Sequence, residues 1–274
     1  MPVAQRDVAI ASAEPIVYRR RMRDGLPSLA ELRHLVVEIA YRGQEGHIPS
    51  ALSILDLIWV VYTGGFLDKE AGGKFVLSKG HGCLALYAVL GSLGYFPRSW
   101  FDGFADRRSR LGGHPDARLV PGVEASTGSL GHGFPIAAGL AYAKKIGKKP
   151  GQVFVLVGDG EANEGTIWET ALVAAQQQLT NLTLIVDNNE SSTRAIDMGS
   201  IAEKFRAFNW AVTEINGHDA DEISSALGEV FDRPHAIIAR TIKGFGITEM
   251  ENNPAWHHRA VTEAEFEAFT SRKS

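Results

Sequence analysis

Two apolar runs organise the chain. Val153-Phe154-Val155-Leu156-Val157 stops at Gly158-Asp159-Gly160, and Leu182-Thr183-Leu184-Ile185-Val186 stops at Asp187-Asn188-Asn189. Unbroken apolar runs of this length read as strands buried on both faces of a parallel sheet. A helical pattern over about residues 164–178 joins them, making one βαβ unit with oxygen-bearing side chains at both carboxyl ends. Ligands of open parallel sheets bind at that edge.

The flanking pattern extends the same architecture. Ser28, with Glu31 three residues on, predicts a capping box opening a helix to about residue 40, with Leu32, Leu35, Val36 and Ile39 on one face. A second helical stretch covers about 50–62. Phe75-Val76-Leu77 reads as a short strand, followed by a helix over about 82–93 that turns Leu84, Tyr87, Ala88 and Gly91 to the core. Another helix runs from beyond Gly131 to about residue 145. Residues 208–215 and 235–239 read as strands separated by a helix over about 219–230, the last strand ending at Lys243-Gly244. Strands alternating with helices predict an α/β fold, a doubly wound, mainly parallel sheet with helices on both faces. Residues 96–125 are rich in Gly, Pro, Asp and Arg, and a loop of that length is functional or disordered. Residues 1–26 lack a clear period and contain Pro2 and Pro15. They read as an N-terminal arm ahead of one domain over 27–274.

Composition narrows the setting. At 274 residues and 45% hydrophobic, the chain can build one large α/β core or two small ones. Lys+Arg 28 against Asp+Glu 32 gives a net charge of −4, which offers no reason to expect nucleic acid or an acidic membrane. The basic cluster Arg19-Arg20-Arg21 with Arg23 is short and reads as solvated surface. Cys83 stands alone, so there is no disulfide framework and no cysteine metal site. No apolar run reaches a membrane span, and the alanine-rich patch at 9–13 lacks the flanks of a signal peptide. A soluble, cytoplasmic protein is expected.

The sheet edge suggests chemistry. Asp159 offers a carboxylate and Asn189 a carbonyl, a set suited to a hard cation that completes its shell with phosphate oxygens and water. The helix start after Gly160 adds free N–H groups and a positive dipole end. The same residues also suit a plain strand–turn–helix, and a short glycine motif does not separate the two. Each further candidate has two readings as well. His47 can cap or pack, His81 between two glycines can face a ligand or be satisfied by its loop, Leu130 can be core, and Glu164 can answer a helix dipole.

GDGEANEG followed by DNN, with Asp159 and Asn189 thirty residues apart, resembles the thiamine-diphosphate motif. GHIPSALSILDLI (46–58), FVLSKGHGCLALYA (75–88), GGHPDARLVPGVEASTGSLGHG (112–133) and TIKGFGITEMENNPAWHH (241–258) occur in the order seen in transketolases, which the chain resembles over about 28–262. The resemblance implies thiamine diphosphate with Mg2+ or Ca2+, the metal held at Asp159, Asn189 and Ser191. It implies cofactor contacts at His81, Gly128, Ser129, Leu130, Gly158, Asp159, Gly160, Glu161, Asn189 and His257. His47, His81, His114 and His257 become the proton-handling or oxygen-binding groups. Glu164 resembles the acid that meets an activating glutamate across a subunit interface. His258 stands where the family commonly has Gly, so a slip of one residue would exchange it with His257. In the family the activating glutamate, the ring pocket and most sugar-binding groups lie on a second domain. The resemblance therefore implies the N-terminal subunit of a split transketolase, moving a two-carbon ketol unit from a ketose to an aldehyde. A separate pyrimidine-binding subunit in an α2β2 heterotetramer is expected. Decarboxylation of a 2-oxo acid with condensation, as in deoxyxylulose-phosphate synthase, and a non-catalytic cofactor-binding scaffold are the alternatives. The sequence does not name the sugar.

Overall fold

A computed structural model describes residues 25–68, 70–192 and 196–271. Most of the expected N-terminal arm, including the Arg19–Arg23 cluster, lies outside the described residues. In chain order the elements are α1 (Leu29–Gly43), α2 (Ile48–Thr63), β1 (Lys74–Leu77), α3 (Cys83–Ser92), α4 (Gly133–Ile146), β2 (Val153–Gly158), α5 (Gly165–Gln176), β3 (Leu182–Asn188), α6 (Ile201–Ala207), β4 (Ala211–Asn216), α7 (Ala220–Gly228), β5 (His235–Arg240) and α8 (Glu263–Ser271), with short 3-10 helices between some of them. Five strands form one parallel sheet in the order β1-β2-β3-β5-β4.

The period-2 alternation of each strand divides the core into two layers. Phe154 and Leu156 of β2 belong to the core layer formed with α1, α2, α3, α7 and α8, whereas Val153, Val155 and Val157 belong to the layer formed with α4, α5 and α6. This is the doubly wound arrangement expected from the pattern. Helix α2 is the most enclosed, buried at every position from Ile48 to Val61, which accounts for its nearly continuous apolar sequence. Helix α1 opens with the expected capping box. Ser28 Oγ accepts the Glu31 N–H, and Glu31 accepts the Ser28 N–H at 2.7 Å.

Three expectations are corrected. Residues 208–210 are not strand. Ile201, Ala202 and Phe205 put α6 on the core, and its end at Phe208 and the left-handed Asn209 (φ 63°) delay β4 to Ala211. The last strand stops at Arg240 rather than Lys243-Gly244, because the Ile242 N–H leaves the ladder for a histidine side chain. Helix α8 was not foreseen. The long 96–125 segment is ordered by its own apolar residues, since Phe96, Phe101, Phe104, Leu111, Val120 and Val123 are all buried.

Candidate active site

Four strands deliver their carboxyl ends to one place. Beyond β1 come Ser78, Lys79 and a 3-10 turn, Gly80–Gly82. Beyond β2 comes the Gly158-Asp159-Gly160 turn, β3 ends beside Asn189, and β5 runs into Thr241 and Lys243. Together with the 112–130 loop and the turn before α2 they enclose a cavity of about 510 Å³. Its lining comprises His47, Ser50, Lys79, His81, His114, Gly128, Leu130, Gly158, Asp159, Gly160, Glu161, Asn189, Ser191, Ser192, Lys243 and His257. A cleft of about 600 Å³ shares Asn189, Ser191, Lys243 and His257 and adds Arg240 and Asn252. Every expected site residue lines the first cavity except Ser129 and Glu164, which are exposed. Close backbone approach builds the wall. A Cβ on Gly80 would lie 2.9 Å from the Gly128 nitrogen, so no larger residue fits between these two loops.

The floor is a buried charge network. Asp187 is fully buried and accepts from Lys79 Nζ, Thr241 Oγ1, Ser53 Oγ (2.6 Å) and Asn189 Nδ2 (3.0 Å). Burial pushes its carboxyl up, but the adjacent Lys79 ammonium and the hydroxyl donors hold it below the usual carboxylate range. Asp159 differs. It accepts only the Gly160 N–H (2.7 Å) and the Ser192 N–H (3.4 Å), with no cation paired to it among the described residues. Burial, then the nearby Asp187 charge, pushes its carboxyl up. A buried carboxylate without a counter-ion is costly, and a bound cation would supply one. Asn189 keeps one acceptor free. Its amide nitrogen is tied to Asp187 and to Ser53 (3.2 Å), leaving Oδ1, which accepts the Ser191 N–H at 3.1 Å and keeps a lone pair. No group of three or more His, Cys, Asp or Glu side chains is placed to hold a metal among the described residues. Such a cation would therefore share its shell with ligand oxygens and water, as magnesium on a diphosphate does.

Glu161 lines the cavity but spends its carboxylate on the scaffold. It accepts from Ser78 Oγ, the Gly131 N–H (2.8 Å) and the Gly158 N–H (3.2 Å), tying β1, the 128–131 turn and the GDG turn together. Gly131 (φ 81°) lets that turn pass α5, where a Cβ would meet Glu164 Cβ at 2.7 Å. Glu164 is the N-cap residue of α5 without a capping hydrogen bond, so its side chain is turned outward.

The histidines converge at the mouth. His47 is the N-cap residue of α2, yet its ring makes no capping bond. It lies 5.1 Å from the His81 ring and 5.5 Å from that of His257. Burial, then the neighbouring His258, His257 and His114, holds His47 down at about 4. Burial, then Lys79 and His47, holds His81 at about 2. Both rings are thus neutral near physiological pH and able to donate and accept hydrogen bonds. Their folded values lie below the ordinary 6.5. Their contribution to stability is complete above that value and is lost as pH falls toward the folded values, because the unfolded chain takes protons the fold refuses. Urea midpoints are therefore expected to drop on going from pH 7 to pH 5, and buried His235, held at about 4 by burial, adds to the effect.

Two supporting clusters hold the loops around the cavity. Tyr87 Oη donates to the Gly112 and His114 carbonyls (3.0 Å each), fixing the backbone that carries His114. Arg33 and His218 both reach the buried Asp56, Arg33 at 2.7 and 2.8 Å and His218 Nδ1 at 3.0 Å. His218 Nε2 accepts the Ile242 N–H at 2.9 Å, and its ring stacks on Phe245 at 3.7 Å. This ring anchors the segment leading to Lys243, whose Nζ lies 3.2 Å from His257 Nδ1 and 3.4 Å from Ser191 Oγ. His218→Ala is expected to cost about 1–3 kcal/mol, since it removes a partner from buried Asp56 and orphans the partly buried Ile242 N–H. Denaturant titration checks the cost, and faster amide exchange at Ile242 checks the mechanism.

Sequence reasoning missed Lys79, Asp187 and Lys243 as site residues. Lys79 stood inside a motif it had singled out, but only the β1-β2-β3 order brings residue 79 to residue 187. Of the two adjacent histidines, His257 faces the cavity, whereas His258 turns to Glu45 at 2.7 Å.

Known proteins resemble this chain in sequence and fold. A family model described as transketolase, thiamine diphosphate binding domain, matches residues 27–273. The chain is 36% identical over 249 residues to one subunit of the apulose-4-phosphate transketolase of Phocaeicola vulgatus, covering 86% of this chain and 88% of that one. It is 35% identical over 254 residues to the 6-deoxy-6-sulfo-D-fructose transketolase subunit SqwG of Clostridium sp. MSTE9, covering 86% and 91%. Among solved structures it is similar to transketolase from Leishmania mexicana, with a TM-score of 0.82 at 27% identity over 90% of this chain and 41% of that chain. Transketolase from Campylobacter jejuni gives 0.81 at 27% identity, over 89% and 42%. The chain thus spans about two-fifths of these solved transketolases and most of the two transketolase subunits. On sequence and fold together, it belongs to the transketolase thiamine diphosphate binding domain family.

Proposed function

We propose that this chain is the diphosphate- and metal-binding subunit of a two-chain transketolase, transferring a two-carbon ketol unit from a ketose to an aldehyde. The observation that carries the reading is Asp159, a buried carboxylate with no cation paired to it among the described residues, in one cavity with Asn189 and with His47 and His81, which burial keeps neutral. In this reading Asp159, Asn189 and Ser191 hold Mg2+ or Ca2+, and Lys243, His81 and the N–H groups of the glycine turn face the diphosphate. Gly128 and Leu130 orient the rings. Thiamine diphosphate, when bound, supplies a nucleophilic thiazolium carbon that cleaves and re-forms the bond beside a ketose carbonyl. His47, His81, His114 and His257 hold or move protons at the substrate's carbonyl and hydroxyl oxygens, a role open to imidazoles.

A separate pyrimidine-binding subunit belongs to the proposal, in an α2β2 assembly. Both similar proteins of matching length are named as subunits of their transketolases, which supports it. So does a surface. On α4 and α5 the apolar Ile146 (65% exposed), Leu172 (56%) and Val173 (57%) face outward beside Ile136 and Tyr142. They flank a groove of about 500 Å³ that includes Pro135, Gly139 and Val173. Exposed contiguous apolar surface marks an interaction site, and both helices begin next to the cavity, where Glu164 is exposed. Leu172→Glu with Val173→Glu is expected to leave the fold intact and prevent co-purification with the partner, as read by size-exclusion chromatography with light scattering. A cytoplasmic setting goes with this reading. Cys83, a buried free thiol, is compatible with it, and no described helix is long and apolar enough to cross a membrane. The reaction itself is tested by giving the reconstituted pair a ketose and an aldehyde, and separately a 2-oxo acid. Ketol transfer supports the proposal, and carbon dioxide release from the oxo acid without ketol transfer refutes it.

A further inference from the structure

His47 makes no side-chain hydrogen bond among the described residues, although it lines the cavity and is flanked by other imidazoles. Packing alone sets its ring, and the nearest of its aromatic neighbours comes from outside the cavity. The His258 ring lies 4.4 Å from that of His47, with planes 33° apart. His258 is held in turn, its Nε2 lying 2.7 Å from Glu45 Oε1. Glu45 belongs to the turn between α1 and α2, two residues before His47, whereas His258 lies in the long segment between β5 and α8. The pair therefore clasps two distant parts of the chain across the cavity mouth, and His47 is pressed between this clasp and His81.

We propose that Glu45 and His258 are positioning residues for His47, the pair fixing its ring and setting the charge it can carry. The groups that face His47 support a two-sided effect. The 80–82 turn presents His81, with Lys79 behind it, the 112–114 loop presents His114, and the segment after β5 presents His257 and His258. All of these are cationic or can become so. Glu45 alone among the groups acting on His47 is an acid, and it favours positive charge there, whereas His258 opposes it. A carboxylate and an imidazole bonded to each other thus push the same ring in opposite directions, and the balance depends on both being present.

The two halves of the clasp give opposite tests. His258→Asn keeps a donor for Glu45 while removing the imidazole that opposes charge on His47, so His47 is expected to titrate higher. Glu45→Gln keeps the contact to His258 while removing the carboxylate, so His47 is expected to titrate lower. Each shift is on the order of half a pH unit or more. The measurement is a histidine-labelled NMR titration of the full chain, with the His47 resonance assigned through His47→Asn and folding verified from the amide spectrum of each variant. A structural role alone would move both variants in the same direction by exposing the ring, so shifts of equal sign, or none in either variant, overturn the proposal. Opposed shifts establish it. The consequence for turnover, a displaced acid limb in the pH profile of kcat/KM for the reconstituted pair, rests on the transketolase reading. The titration does not, so the two can fail separately.

Discussion

Replacing Asp159 with asparagine is expected to abolish metal-dependent binding of thiamine diphosphate and to lower kcat/KM far beyond the roughly 10–100-fold that loss of a supporting contact costs. Asparagine keeps an oxygen for the Gly160 N–H, bonded to Oδ1 at 2.7 Å, and gives up only the long contact from the Ser192 N–H to Oδ2 at 3.4 Å, so the turn keeps most of its geometry while the charge is lost. Glu161 cannot substitute, because its carboxylate is bound to Ser78, Gly131 and Gly158. Stability should respond in the opposite sense. The Asp159 carboxyl is raised by burial and by Asp187. Its contribution to folding is therefore present below the unfolded carboxylate value and lost as pH rises through the folded one, so at neutral pH the ionised form is a burden. The variant's ligand-free melting temperature should be unchanged or higher, and the rise produced by magnesium with cofactor should vanish. A variant that merely unfolds would show the reverse.

Lys79→Met is expected to be the most destabilising change at the site. It leaves Asp187 fully buried without its cation, and breaking a buried pair from one side costs about 3–5 kcal/mol. Native domains are stable by only ~5–15 kcal/mol, so this removes a large fraction of the total. Adding Asp187→Asn should recover much of the loss, because the orphaned charge is then gone while Ser53 and Thr241 still find an acceptor. Urea denaturation of the two single variants and the double variant gives the coupling directly. The same pair links the sheet to the site. Lys79 is a principal charge holding His81 neutral, and Asp187 orients the Asn189 amide.

The strands were legible because burial on both faces writes itself as unbroken apolar runs, and β1, β2, β3 and β5 lie close to where those runs fall. The α1 start was legible for a different reason, a capping box being a purely local device. Helix α6 was not, since seven residues carry barely two turns of periodicity and its Phe205 is followed by Phe208 and Trp210, which imitate a strand. The site divides along the same line. Asp159, Asn189 and the cavity histidines sit in local motifs with unusual glycine spacing. Lys79–Asp187, Arg33–Asp56–His218 and Glu45–His258 are pairings across 108, 23, 162 and 213 positions. Nothing local marks such pairs, which the packing of α1 on α2, the strand order and the return of the segment after β5 create.

The most direct test is a calorimetric titration of thiamine diphosphate with magnesium into this chain, alone and together with its pyrimidine-binding partner. Tight binding that requires both the metal and the partner, and that Asp159→Asn removes, is the expected result. Absence of binding in either form, or binding indifferent to Asp159→Asn, would contradict a cofactor site at this sheet edge.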